Sequence, residues 1–187
     1  MEGFSQQISR LGYVKIEYLI RDDLLPTREE AETVLINFER EIGMSLPQEC
    51  RDFLLEYGGG YLGGGDHDVI FKCIHTPSSD LADHGRCEIF FYIPKHDGGG
   101  HAYNLFWNYR CFLDRMPRNL IPIAADGGGN IICISALGKD CGKVYYWDHE
   151  LEEEPMEEEE CTYSNISLIG DNFLHFLDSL ELDRIPD

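Results

Sequence analysis

The sequence predicts a single α+β domain in which helices at both ends of the chain pack against a mostly antiparallel sheet. Apolar residues repeat at helical spacing in residues 27–57 and 171–180, whereas the chain between them carries short runs of Val, Ile, Phe and Tyr that are typical of strands. The chain has 187 residues, enough for one sizeable core, and no linker-like stretch divides it. We therefore expect one domain over residues 1–187, with its core at about residues 27–181.

Two helices are predicted before the first clear strand. Thr27 and Glu30 have the spacing of a capping box, in which each side chain accepts a hydrogen bond from the backbone of the other residue. A second amphipathic helix follows Pro47, a residue suited to a first helical turn, and ends at Gly58–Gly60. The first helix continues to Gly43 with its apolar stripe at Ala31, Val34, Leu35, Phe38 and Ile42.

The middle of the chain has the composition of strands. Residues 1–25 are ambiguous, because SQQISRL suits a short helix and the alternating run after it suits a strand. Runs rich in β-branched and aromatic residues follow at Asp68–Ile74 and Cys87–Ile93, and we expect these two strands to pair antiparallel. Apolar residues from Ala102 to Met116 step by four and three, which predicts a helix that ends before Pro117.

A β-hairpin and a last helix are predicted in the C-terminal third. The hairpin strands are the alternating runs Ile131–Ser135 and Lys143–Trp147. Before the first run, Gly127–Gly129 predicts a tight turn that presents Asn130. Asp171 is the expected N-cap of the last helix, whose apolar stripe is Phe173, Phe176, Leu177 and Leu180.

The charge of the chain is strongly negative. Its 35 acidic and 15 basic residues give a formal net charge of −20, so its surface repels nucleic acid and anionic membranes. A basic protein partner is the physical complement of such a surface. Part of the excess lies in LEEEPMEEEE, residues 151–160, a block of like charges around Pro155 for which we predict a solvated, flexible loop.

Cysteine usage and hydropathy indicate a cytoplasmic protein. The seven cysteines are odd in number, scattered and without a C-x-x-C pair, which argues against a disulfide framework or a zinc ribbon. No leader-like segment opens the sequence, and no apolar run approaches the roughly 18 residues that a membrane-spanning helix needs. We expect reduced thiols and neither a cofactor nor a structural metal.

Three sequence blocks resemble the SUKH superfamily, also called the Smi/Knr family, which is known from bacterial toxin immunity proteins and a fungal cell-wall regulator. The first block is EREIGMSLPQECRDFLLEYGGG. The second is IPIAADGGGN at Ile121–Asn130, which runs into GKVYYWDHE at Gly142–Glu150. The third is DNFLHFLDSL near the C-terminus. Together the blocks span most of the chain, in the order and spacing of the family.

The resemblance implies a function as well as a fold. Bacterial members bind the effector domain of a polymorphic toxin and block it without catalysis. Many such toxins are nucleases, whose active-site face is basic because it must attract phosphate, and an acidic protein would find that face quickly. The leading hypothesis is thus a bacterial immunity protein that neutralises a cognate toxin, and the alternative is a regulatory interaction module of the Smi/Knr type with no toxin.

The resemblance also implies a partner surface, since family members use the exposed sheet face and its adjoining loops. The acidic side chains there would face Lys and Arg of the partner. In this sequence the surface maps onto Tyr61, Asp66, Asp126, Asn130, Asp148, His149 and Glu150.

A metal-dependent hydrolase is the remote alternative. It would use Asp148, His149 and Glu150 with Asp126 or with the cluster Asp66–Asp68. Consecutive strand residues point to opposite faces, so Asp148 and Glu150 would share a face without His149, which makes the three poor joint ligands. The simpler interpretation is that Asp148 or His149 bonds nearby backbone and completes the hairpin, with Trp147 in the core.

Overall fold

The computed structural model describes residues 3–16, 25–96, 102–152 and 162–184. Within these ranges the helices are α1 (Gly3–Arg10), α2 (Arg28–Ile42), α3 (Gln48–Tyr57), α4 (Leu105–Phe112) and α5 (Phe173–Ser179). The strands are β1 (Val14–Lys15), β2 (Gly60–Tyr61), β3 (His67–Lys72), β4 (His84–Arg86), β5 (Ile89–Phe90), β6 (Leu120–Ala125), β7 (Ile131–Ser135), β8 (Val144–Trp147), β9 (Ile166–Gly170) and β10 (Glu181–Arg184).

The strands form two antiparallel sheets. The larger sheet has the order β1-β2-β5-β6-β7-β8-β9, and the smaller has the order β10-β3-β4. Neighbouring strands in both sheets pair antiparallel. The predicted α+β class and the hairpin of β7 and β8 are therefore confirmed.

The larger sheet is covered on both faces, as adjacent residues of β8 show. Side chains alternate between faces along a strand, so Tyr146 and Trp147 point in opposite directions. The Tyr146 ring packs edge-on against Phe71 of β3, 5.1 Å between centroids, while the Trp147 ring packs against Phe112, which ends α4, at 5.4 Å. The small sheet and α4 thus lie on opposite faces, and every residue of β7 and β8 is buried. The expectation of an exposed sheet face therefore does not hold for β7 and β8, whereas every residue of β10 in the small sheet is exposed.

Aromatic side chains join the helices to the sheet. Phe53 of α3 is fully buried and contacts the rings of Phe90 in β5 and Phe173 in α5, at centroid distances of 4.8 and 5.2 Å. Phe4 of α1 packs edge-on against Phe53 at 5.6 Å. The core of the domain therefore contains side chains from both α1 and α5.

The two N-terminal helices begin and end where the sequence predicts. Thr27 and Glu30 form the reciprocal capping box of α2, and Gly43 ends the helix with a left-handed φ of 70°. After α3, Gly59 has a steric reason to be glycine, because a Cβ atom there would lie 2.7 Å from the backbone nitrogen of Tyr92. The glycine block after α3 thus lets the chain approach β5 closely and pair beside it as β2.

The N-terminal helix is tied to the end of α5. The Arg10 guanidinium donates hydrogen bonds to the backbone oxygens of Leu180 (2.7 Å) and Leu177 (3.0 Å). These carbonyls have no partner within their own helix, so a cation there satisfies them and complements the helix dipole.

Three local predictions were wrong. The run Cys87–Ile93 bonds to β3 only through its first residue, because the chain then leaves the small sheet and enters the larger sheet as β5. The helix predicted over 102–116 is shorter, since Asn104 caps it through the backbone amides of Phe106 and Trp107. The N-cap of α5 is Asn172, which accepts a bond from the His175 amide at 2.8 Å, and not Asp171.

Two sequence predictions fall mostly outside the described ranges. The acidic block 151–160 is described only as far as Glu152, and the alternating run after α1 only as far as Ile16. Within the described part of that run, Val14 and Lys15 form the edge strand β1.

Candidate interaction site

The site is organised by the carboxylate of Asp126, which follows the last residue of β6. Its Oδ1 accepts hydrogen bonds from the backbone amides of Gly128 (2.8 Å) and Asn130 (2.9 Å). Its Oδ2 accepts bonds from the Asn130 amide group (2.8 Å) and the Tyr146 hydroxyl (2.7 Å). One carboxylate therefore holds the glycine turn in place and links it to β8, as the prediction of a tight turn before Asn130 requires.

Asn130 extends this network to the next segment of chain. Its Oδ1 accepts the backbone amide of His149 at 3.0 Å and lies 2.9 Å from Nδ1 of the same residue. Because the Asn130 nitrogen donates to Asp126, its oxygen must face His149, and the hydrogen of the neutral imidazole then sits on Nδ1. The imidazole also covers Gly129, whose Cβ position would lie 3.4 Å from Cε1.

Tyr146 is the residue of this network that the sequence analysis missed. Burial of its ring, and then the hydrogen bond to Asp126, raise the pKa of the phenol. The sequence offered one indirect signal, since Tyr146 directly precedes the strand-end group Trp147–Glu150. The side-chain nitrogen of Asn130 donates a hydrogen bond to the Tyr146 hydroxyl at 2.7 Å.

We expect Tyr146→Phe to reduce the loss of stability at alkaline pH. A raised pKa means that the folded protein holds the phenolic proton more tightly than the unfolded chain, so this contribution is complete below about pH 10 and is lost as the pH rises further. Between pH 8 and 11 the wild type should lose about 1 kcal/mol more than the variant. Urea unfolding at both pH values measures this, and equal losses in the two proteins would contradict it.

Asp148 and His149 complete the hairpin through local hydrogen bonds, as the simpler interpretation predicts. The chain after β8 forms a 3₁₀ turn at His149–Leu151, whose N-cap is Asp148 with its Oδ1 accepting the Glu150 amide at 3.0 Å. The strand alternation expected for Asp148 and Glu150 is therefore wrong, because the strand ends at Trp147. Glu150 is exposed at the outside of this turn.

Tyr61 and Asp66 lie apart from the Asp126 network. Tyr61 pairs in register with Ile89 in β5 and packs edge-on against Tyr103, with ring centroids 5.6 Å apart. Burial and the neighbouring Tyr103 phenol raise the pKa of Tyr61. Asp66 directly precedes β3 and forms an ion pair with Arg184, with 3.4 Å between Nε of Arg184 and Oδ2 of Asp66.

A cleft of about 300 Å³ lies beside the Asp126 turn, between the two sheets. Its acidic lining residues are Asp68, Glu88 and Asp126, and its floor includes Tyr146. Asp68 was considered only in the cluster Asp66–Asp68 of the hydrolase alternative. Glu88 was not predicted as a site residue, because an acidic residue within a strand-like run is usually an ordinary surface residue. Only the fold brings them to Asp126.

Glu152, the first acidic residue of the block 151–160, is held by an ion pair with Arg115. Arg115, three residues after α4, donates from Nε to the Glu152 carboxylate at 2.8 Å. Its guanidinium also lies 5.0 Å from the ring centroid of Phe112 and 5.1 Å from that of Trp147. Glu152 is thus fixed to the body of the domain. Trp147 is 1% exposed, which confirms its place in the core, whereas Trp107 on α4 is 46% exposed.

The described residues offer neither a metal-binding cluster nor a membrane-spanning helix. Across residues 3–16, 25–96, 102–152 and 162–184, no group of three or more His, Cys, Asp and Glu side chains is arranged to hold a metal ion. No helix in those ranges has both the length and the apolar character to cross a membrane.

Comparison with known proteins identifies the family. The model of the SMI1 / KNR4 family (SUKH-1) matches residues 31–179 of this chain. The chain belongs to the SMI1/KNR4 family. The matched SUKH-1 region begins inside α2 and ends at the last residue of α5, so it contains the glycine block after α3, the Asp126 turn and the β7–β8 hairpin. The predicted resemblance is confirmed, and SUKH membership implies protein–protein interaction in general.

One relative of this SUKH-1 chain is the SPbeta prophage-derived uncharacterized protein YokK of Bacillus subtilis strain 168. The two are 36% identical over 124 residues. The aligned part is 63% of this chain and 61% of YokK, so the similarity spans less than two thirds of that relative's length.

Proposed function

We propose that this protein is an immunity protein of the SUKH type, which binds the effector domain of a cognate polymorphic toxin in the cytoplasm and neutralises it by occlusion without catalysis. The observation that carries the proposal is the acidic rim that this SUKH-1 chain presents around the Asp126 turn. We define the acidic rim as Glu88, Asp126, Asp148 and Glu150.

The acidic rim suits a basic protein surface. Asp126 accepts internal hydrogen bonds in the glycine turn, while Glu150 is exposed on the 3₁₀ turn that follows β8. A net charge of −20 adds a long-range field that attracts a basic partner and repels nucleic acid and anionic membranes. Such a field increases the association rate more than the final affinity. A nuclease effector, which must itself bind phosphate, fits this description.

The test is co-expression with the candidate effector domain encoded by the neighbouring open reading frame. Survival of cells that the effector alone kills, together with a purified complex of the two chains, supports the proposal. If the cells die and no complex forms, the second hypothesis, a regulatory interaction module without a toxin, takes its place.

Charge reversal on the acidic rim should weaken the complex. We expect Asp148→Lys with Glu150→Lys to cost about 2 kcal/mol of binding free energy and to slow association, most clearly at low salt. Binding kinetics at two salt concentrations measure both effects. The control is Glu29→Lys with Glu32→Lys on α2, which changes the net charge equally at exposed positions outside the acidic rim. Equal rates for the two double variants would place the interface elsewhere.

A further inference from the structure

The strand β4 has an open outer edge. It pairs with β3 on one side, where Cys87 donates its amide hydrogen to the Val69 oxygen (2.9 Å) and Cys73 donates to the Asp83 oxygen (2.7 Å). Hydrogen-bonded and non-hydrogen-bonded pairs alternate in an antiparallel ladder. The backbone N–H and C=O groups of His84 and Arg86 therefore point away from β3. The order β10-β3-β4 places no further strand of the described chain on that side.

This open edge borders the cleft beside the Asp126 turn. His84, Gly85 and Arg86 line one side of the cleft, and Asp126 and Gly127 line the other. At about 300 Å³ the cleft is at the small end of ligand sites, which suits one long side chain rather than a whole domain element. An extended chain laid along β4 would thus have a place for one of its side chains.

Glu88 supplies the charge that selects this side chain. It is exposed and lines the cleft, and its carboxylate lies directly against Gly127. Asp68 and Arg86 form an ion pair across β3 and β4, with Nε and Oδ2 3.3 Å apart, so their charges largely offset each other. Asp126 adds negative charge on the opposite wall. The cleft therefore favours a cation.

We propose that the outer edge of β4 accepts an extended segment of a basic partner by strand addition, with a lysine or arginine of that segment entering the cleft against Glu88. The backbone groups of His84 and Arg86 supply main-chain hydrogen bonds, and Glu88 supplies the selection for positive charge. This inference rests on the proposed function, because the segment would belong to the basic effector domain.

The test uses the free protein and a short synthetic peptide in which Val and Lys alternate. The expected result is saturable change in the amide signals of His84 and Arg86, with slower hydrogen exchange at both. The same peptide with Glu in place of Lys should bind at least about threefold more weakly, and so should the peptide with alternate amides N-methylated, which cannot complete a ladder.

A matched pair of variants tests the role of Glu88. Glu88→Gln should weaken binding of the Lys peptide about threefold at low salt, whereas Glu181→Gln on β10, at the other edge of the same sheet, should leave it unchanged.

Three results would overturn the inference. The first is the absence of saturable change up to about 5 mM peptide, beyond the millimolar range of weak binding. The second is protection at Leu182 of β10 instead of His84 and Arg86, and the third is equal affinity of the two variants. None of these outcomes depends on the effector, so the inference can fail while the co-expression experiment succeeds, and the reverse also holds.

Discussion

Replacing Phe53 with Ala should destabilise the protein by about 4 kcal/mol. The side chain is fully buried and contacts rings from a strand and two other helices, Phe90, Phe4 and Phe173. Removing it leaves a cavity whose walls belong to three elements that cannot all move in to fill it, so both the transfer free energy and the packing contacts are lost. Because domains of this size are stable by about 5 to 15 kcal/mol, the loss is a large share of the total.

Urea unfolding followed by circular dichroism measures this effect. Ile36→Ala is the matched control, since Ile36 lies on α2 and is 42% exposed, and it should change stability by less than about 0.5 kcal/mol. Phe53→Leu should fall between the two, at about 1.5 kcal/mol. If Phe53→Ala cost no more than Ile36→Ala, the junction of α1, α3 and α5 would not be the core that the aromatic contacts indicate.

Replacing Asp126 with Ala should cost about 3 kcal/mol and release the glycine turn. The change removes the acceptor for the amides of Gly128 and Asn130 and for the hydroxyl of Tyr146, which is otherwise buried. Amide exchange at Gly128 and Asn130 should accelerate in step with the loss of stability. The raised pKa of Tyr146 should also fall, because the Asp126 carboxylate is one of its causes.

The control for this change is Asp80→Ala, since Asp80 is exposed. It should alter stability by less than about 0.5 kcal/mol. Asp126→Asn separates charge from hydrogen bonding, because its amide keeps one oxygen for the Gly128 and Asn130 amides but turns a donor towards Tyr146. We expect Asp126→Asn to lower the free energy of unfolding by an amount between those of Asp80→Ala and Asp126→Ala. Unchanged exchange at Gly128 in Asp126→Ala would show that the turn holds its shape without the carboxylate.

The sequence predicted the parts of the fold that depend on local spacing. The capping box of Thr27 and Glu30, the end of α2 at Gly43 and the β7–β8 hairpin all follow from patterns within a few residues. The partners of Asp68–Ile74 were mispredicted because strand pairing is a long-range choice, and β3 takes its second partner from β10 at the other end of the chain. The residue pattern within a strand does not show which other strand it will pair with.

Some residues of the candidate site could likewise be predicted from local sequence, and others could not. Asp126, Asn130 and His149 were predicted and lie in one hydrogen-bonded network, since the hairpin places the first two beside the third. Tyr146 was missed because its buried hydroxyl gives no polar signal in a strand of apolar residues, and Glu88 because only the crossing from the small sheet to the larger one brings it to the cleft. Both depend on tertiary structure.

The bond between Arg10 and the end of α5 has a consequence for how the protein is made. Residues 167 and 170 positions apart must meet before the N-terminal helix is secured. At translation rates of about 5 to 20 residues per second, the ribosome needs roughly 10 to 30 s to synthesise that separation. During this interval Phe4 lacks its contact with Phe173 in α5. In the nascent chain α1 can therefore pack against Phe53 of α3, but its contacts with α5 form only after synthesis has passed that helix.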